Sequence, residues 1–126
     1  MVMNDEIFGT VSFDMGWNKN ESFTLWGKDY KIIITAAAYY ENEAITDEQK
    51  KAYSAFVNNK ARISEKIETI LIRSINNLEK HLTPRFLRFE KNGAYALLFD
   101  DDTDPDNGIA VQLSPEEKVL TQDAYL

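Results

Sequence analysis

Apolar positions recur along the chain in two rhythms, and the rhythm changes twice. In the first third they alternate. Phe8, Val11 and Phe13 sit among Gly9, Thr10 and Ser12, and Ser22-Phe23-Thr24-Leu25-Trp26 switches between polar and apolar at each step. A period near two gives a strand one buried face, so both stretches predict half-buried strands. Met15-Gly16-Trp17-Asn18-Lys19-Asn20 between them predicts a turn, and Gly27-Lys28-Asp29 predicts a tight turn. Tyr30 to Tyr39 is apolar almost throughout and predicts the strand at the centre of the sheet.

From residue 46 the spacing becomes three and four. Thr46-Asp47-Glu48-Gln49 has the form of a capping box, in which Thr46 caps the amide of Gln49 and Gln49 reaches back. Asp47 and Glu48 suit the positive end of a helix dipole. A helix over 47–58 then places Ala52, Tyr53, Phe56 and Val57 on one face, and Asn58-Asn59 interrupts it. A second helix, over 60–82, carries the stripe Ile63, Ile67, Ile70, Leu71, Ser74, Leu78 and Leu82. Thr83-Pro84 ends it, because the residue before proline avoids the α region.

Alternation then returns. Arg85 to Phe89 and Ala94 to Phe99 flank Lys91-Asn92-Gly93, a hairpin signal. After an acidic loop, Asp100 to Asn107, Ile109 to Leu113 predicts another strand. Ser114 to Lys118 turns the chain, so that Val119-Leu120 pairs back. Strands, two helices, strands: this order predicts a single α+β domain over 1–126. It is a mostly antiparallel β-sheet with the helices of 47–58 and 60–82 packed on one face.

The 126 residues suffice for a self-standing core, and 44% hydrophobic with 28% charged residues is the balance of a folded domain. There is no cysteine, which excludes disulfides, thiolate metal sites and a cysteine nucleophile. Met1 to Phe13 lacks the pattern of a signal peptide, and the longest apolar run is too short to span a bilayer. The expectation is a cytoplasmic protein. The net charge is −7, unevenly spread: residues 91–126 hold two bases and eight acids. Such a surface disfavours direct binding to nucleic acid or to anionic lipid, and favours a basic protein partner.

Little in the chain suggests catalysis. It has one histidine, His81, placed by the predicted helix where a histidine complements the dipole. No glycine-rich phosphate loop, nucleophile elbow or metal-spaced histidine pair occurs. The reading is of a non-enzyme without cofactor or metal. The sharpest local feature is the loop, with Asp100, Asp101, Asp102, Asp104 and Asp106 within seven residues. Read from Asp102 as a calcium loop, its sixth position is Asn107 and its twelfth Leu113, where glycine and glutamate are needed. Three readings stay open: a solvated loop, an irregular cation site, and a docking site for lysines and arginines of a partner. Glu116 and Glu117 are candidate neighbours of that site. Trp17, in a polar turn, is read either as an interface anchor or as a lid over the sheet edge.

As a whole the chain resembles a bacterial family of small domains of unknown function found among the immunity proteins of polymorphic and contact-dependent growth inhibition toxin systems. The matching features are Trp26-Gly27 before the apolar strand and Ile45-Thr46-Asp47-Glu48-Gln49 with Ala52, Tyr53 and Phe56. The closing pattern matches too: Asp104-Pro105-Asp106-Asn107-Gly108-Ile109-Ala110-Val111, then Gln122-Asp123-Ala124-Tyr125-Leu126. Where many members have an aromatic-rich end to the long helix, this chain has Ser74-Ile75-Asn76-Asn77. The resemblance implies a protein that binds and neutralises a cognate toxin, expected to be a basic nuclease. It implies no catalytic residues. The alternatives are a self-associating structural module and a carboxylate-dependent hydrolase.

Overall fold

The computed structural model describes residues 1–74 and 81–126. Among them a single eight-stranded sheet runs in chain order: β1 (Val2–Asp5), β2 (Gly9–Phe13), β3 (Trp17–Leu25), β4 (Lys28–Ala36), β5 (Leu82–Phe89), β6 (Tyr95–Asp101), β7 (Ile109–Ser114) and β8 (Lys118–Thr121). Neighbours pair antiparallel except β4 and β5, which are parallel, with Ile33 opposite Phe86 and Ala36 opposite Phe89. A parallel pair needs a long return connection, usually a helix. Here that connection contains α1 (Asp47–Asn58) and α2 (Lys60–Ser74). A short α3 (Gln122–Tyr125) follows β8. The α+β class and the mostly antiparallel sheet are therefore observed, with β4 near its centre.

The capping box forms as the sequence predicts. Thr46 Oγ1 accepts from the Gln49 amide at 3.1 Å, and Gln49 Oε1 accepts from the Thr46 amide at 2.9 Å. Gln49 is wholly buried, and its Nε2 donates to the carbonyls of Ala37 (3.1 Å) and Phe89 (3.0 Å). One side chain thus joins the ends of β4 and β5 to the start of α1. The Thr46 hydroxyl also donates to Lys91 O at 2.7 Å, tying the β5–β6 turn to the same cap.

The main core unites Tyr53 and Phe56 of α1 and Ile63, Ile67 and Leu71 of α2 with Phe23, Leu25, Ile32, Ile34, Leu87, Phe89, Leu97, Phe99 and Val111 of the strands. Phe8 stacks on Tyr53 with ring centroids 4.3 Å apart, and Phe89 meets both edge-on. A second, smaller cluster of Ala96, Leu98 and Ala110 packs against Tyr125.

Several sequence expectations change. The helix predicted to 82 is described only to Ser74; Leu78 lies outside the described residues. Leu82 is the first residue of β5, opposite Asp101, and Pro84 lies inside that strand beside a bulge. His81 sits in a turn just before that strand, where its carbonyl accepts from the Asp102 amide at 2.9 Å. Val57 is 43% exposed and leaves the apolar face expected of it. The turn predicted over 15–20 is confined to residues 14–16, because Trp17 already pairs with Ala36. The tight turn is at Trp26-Gly27, with φ of 52° and 72°, the left-handed pair that fits a two-residue hairpin.

Replacing Gln49 by leucine keeps the volume and leaves the Ala37 carbonyl and the Thr46 amide without their side-chain partner, while Phe89 O keeps the Ala37 amide. Each unsatisfied buried group costs about 1–3 kcal/mol, so Gln49→Leu is expected to lose about 3 kcal/mol in urea unfolding. A loss below about 1 kcal/mol would show that the bridge contributes little.

Candidate functional site

Strand alternation sorts the sheet into two sets of side chains. Lys19, Ile34, Leu87, Leu97 and Val111 lie in one register row and, Lys19 apart, belong to the main core. The residues between them form two other rows. Asn20, Ile33, Phe86, Leu98 and Ala110 align across β3 to β7, and beside them lie Asn18, Thr35, Arg88, Ala96 and Gln112.

These two rows floor a concavity of about 610 Å³, lined among others by Asn20, Ile33, Phe86, Leu98, Thr35 and Arg88. Asp14 and Met15 of the β2–β3 turn wall it on one side, and Gln122 and Leu126 on the other. A second concavity of about 470 Å³ continues past Met15 and Arg88 to Ala37, Ala38, Tyr39, Glu90, Lys91 and Asn92. Exposed apolar side chains line this trough: Met15 is 84% exposed, Tyr39 80% and Phe86 41%.

The walls are built to hold their shape. Asn18 Nδ2 donates to the carbonyls of Asp14 (2.8 Å) and Gly16 (3.2 Å), while its Oδ1 accepts from Thr35 Oγ1 at 2.6 Å. Gly16 lies so close to β4 that a Cβ there would meet Thr35 Cγ2 at 2.9 Å and Ala36 O at 3.0 Å. Glycine is therefore required, and Met15 is left at φ 57°. On the other side Gln122 Nε2 donates to Phe99 O at 2.7 Å, and Tyr125 Oη donates to Glu90 Oε2 at 2.9 Å. Glu90 also accepts from Arg88 Nε at 3.0 Å. Burial and the Glu90 carboxylate both push the Tyr125 phenol well above its ordinary range, so it stays a donor. Glu43 accepts from the amides of Tyr39 (2.6 Å) and Tyr40 (2.9 Å) and pairs with Lys91. The Lys91 ammonium holds the Glu43 carboxyl below its usual value.

The residues predicted from sequence fall elsewhere and have different fates. Asp100 pairs with Arg85 at 2.6 Å. Asp101 accepts from the amide (2.9 Å) and hydroxyl (2.6 Å) of Thr103, an aspartate turn. Asp104 holds Asn107 Nδ2 with both oxygens at 3.1 Å. Asp102 and Asp106 are exposed, and neither carboxylate has a partner among the described residues. Glu116 pairs with Lys118 (3.3 Å) and Glu117 with Lys66 (3.1 Å). The structure does not bring the two glutamates to the loop: they follow the far end of β7, about 17 Å away at the rise of a strand. Trp17 is 2% exposed, with Nε1 donating to Glu43 O at 2.8 Å, so its ring lies in the core and is not presented to a partner. Its apparent polar turn is the first pair of a long strand. Among the described residues no group of three or more histidines, aspartates and glutamates is placed to hold a metal ion.

One charged cluster joins the sheet to the helices, and Lys19 within it also lines the larger concavity. Glu21 on β3 accepts from Tyr53 Oη at 2.7 Å and pairs with Lys60 Nζ at 2.9 Å; Lys19 Nζ donates to Tyr53 Oη at 3.2 Å and to Phe8 O at 2.8 Å. Burial pushes the Glu21 carboxyl up, but the bonds from Lys60 and Tyr53 and the two lysine charges outweigh it, and its pKa is lowered. This cluster binds β3 to both helices. No step of a reaction follows from it, since its groups satisfy one another.

The architecture is thus an α+β domain whose sheet carries an unoccupied concave surface. Residues 7–121 match the family described as Domain of unknown function (DUF6985), and the chain belongs to that family. No curated protein and no solved structure matches it.

A lowered folded pKa at Glu21 means stability that is fully present above the unfolded value near 4.5 and is lost as pH falls through the folded value. Glu21→Gln is therefore expected to be less stable than the parent at pH 7 and to lose less on acidification below 4.5. Urea midpoints measured from pH 7 to pH 3 check this. Parallel pH profiles for the two proteins would rule it out.

Proposed function

We propose that the protein is a polypeptide-binding module that neutralises a basic partner, acting in the cytoplasm as an immunity protein acts on a cognate nuclease toxin. We infer that α1 and α2 lie together on one face of the sheet, since the buried side chains of both join one core with alternate strand residues. That arrangement leaves the rows through Phe86 and Arg88 to a partner. The observation that carries the reading is the trough on this side, lined by exposed Met15, Tyr39 and Phe86. Aromatic residues and methionine are enriched at protein interfaces, and apolar side chains gathered around a concavity mark contact sites.

Charge favours a basic partner. The chain carries −7, and Asp102 and Asp106 are left without partners among the described residues while Asp100, Asp101 and Asp104 are engaged within the fold. Exposed charges of this kind steer association more than they hold a complex together. The acidic loop in this reading speeds encounter, and the trough provides the contact.

Affinity capture from the native host, followed by re-expression of the captured protein, tests the proposal. It is expected to yield a basic protein that is toxic alone and harmless when co-expressed with this chain. Asp102→Asn with Asp106→Asn is expected to slow association about tenfold at low salt and to flatten its salt dependence. Asp100→Asn with Asp104→Asn should do less. A chain that binds no basic protein, or confers no protection on co-expression, would overturn the reading.

A further inference from the structure

The trough has a chemistry of its own, distinct from the acidic loop. Its two concavities adjoin, with Met15 and Arg88 lining both. Each alone has the volume of a small-molecule site; joined, they suit an elongated occupant better than a compact one. The floor of the larger is apolar where Ile33, Phe86 and Leu98 align in register across three strands. The charges nearly cancel and leave a negative remainder. Arg88 is matched by Glu90 and Lys91 by Glu43, and Lys19 spends its ammonium on Phe8 O, Tyr53 Oη and Glu21, while the Asp14 carboxylate has no partner among the described residues. An apolar floor under an unbalanced carboxylate complements a base flanked by apolar groups.

Met15 supplies an independent sign. Among the described residues two non-glycines have positive φ, Met15 and Trp26. The ring of Trp26 packs on the core, 6.2 Å from that of Phe99, so burial offsets its strain. Met15 is strained and 84% exposed, with no such return inside the fold. Strain held at an exposed apolar residue is the pattern of a contact site, and methionine adapts to varied apolar surfaces.

We propose that the trough seats an extended segment of the partner polypeptide, with a basic side chain toward Asp14 and apolar side chains over Phe86 and beside Met15. This rests on the polypeptide-binding reading and adds the place and the chemistry of the segment. Fluorescein-labelled nine-residue peptides with leucines flanking a central lysine, glutamate or serine provide the probe, titrated by anisotropy against the full chain, with sedimentation velocity alongside. The lysine peptide is expected to bind about tenfold tighter than the glutamate peptide. Asp14→Asn should bring that ratio near one, and Phe86→Glu should abolish binding. Met15→Gly should raise the melting temperature while weakening binding, a combination that a merely structural residue would not give.

Peptides that fail to bind, or bind without regard to the central charge, overturn the proposal. So does a dimer that Phe86→Glu dissociates, which would give the trough to a second copy of the chain. If circular dichroism shows Phe86→Glu unfolded, Met15→Gly decides, since that side chain is already in solvent. A captured partner bound equally well by Met15→Gly and Phe86→Glu would sink the trough and spare the binding reading. Charge-selective peptide binding, with no neutralised partner, would do the reverse.

Discussion

The parallel pairing of β4 with β5 is the constraint from which the rest of the architecture follows. Every other strand pair is a local antiparallel hairpin or short return, and closes with little loop entropy. β4 and β5 must leave the sheet and come back in the same direction, and the chain between them carries α1 and α2. The join is secured at one point, where Gln49 reaches Ala37 and Phe89 and Thr46 reaches Lys91. A helix N-terminus has unpaired amides, and strand ends have unpaired carbonyls. Setting one against the other with a single glutamine satisfies both in a place from which water is excluded.

That same crossover makes the candidate surface. If β4 and β5 were not adjacent, Ile33 would not meet Phe86, nor Thr35 meet Arg88, and the rows of the trough would have no middle. The apolar triplet Ile32-Ile33-Ile34 carries the trace of this. Ile32 and Ile34 are spent on the core, so Ile33 is an apolar residue on the other side of the strand, where it lines the concavity. Among the described residues, α3 and Tyr125 cover only the end of that side near Ala96, Leu98 and Ala110.

What was legible in the sequence was local. The range 47–58 for α1 is recovered because a capping box, two first-turn acids and an apolar stripe all fall within a dozen residues. The β5–β6 hairpin is recovered because Asn92-Gly93 announces it. The second helix was read too far because Leu82 lies four residues after Leu78, and a period of 3.6 continues by chance into a strand whose partners are remote. The same limit applies to Trp17. Its neighbours in sequence are polar, and its burial depends on Ala36 across the sheet and Glu43 beyond it. The trough draws on five strands at once, β2 to β6, so no window of sequence contains it.

The acidic loop shows how composition misleads until geometry divides it. Five aspartates in seven residues read as one feature, yet each oxygen meets a different demand. Asp101 and Asp104 shape the turn by accepting from residues two and three ahead, as short acidic side chains do where a helix or sheet ladder stops. Asp100 meets Arg85 across the β5–β6 ladder, an exposed pair worth at most about 1 kcal/mol. Only Asp102 and Asp106 remain to act at a distance, and two unpaired charges in solvent act over about a Debye length, near 10 Å. A longer reach than that comes from the −7 of the whole chain, while specificity needs close, desolvated contact. A concave surface with a strained, exposed methionine at its edge provides for such contact, and two carboxylates standing in solvent do not.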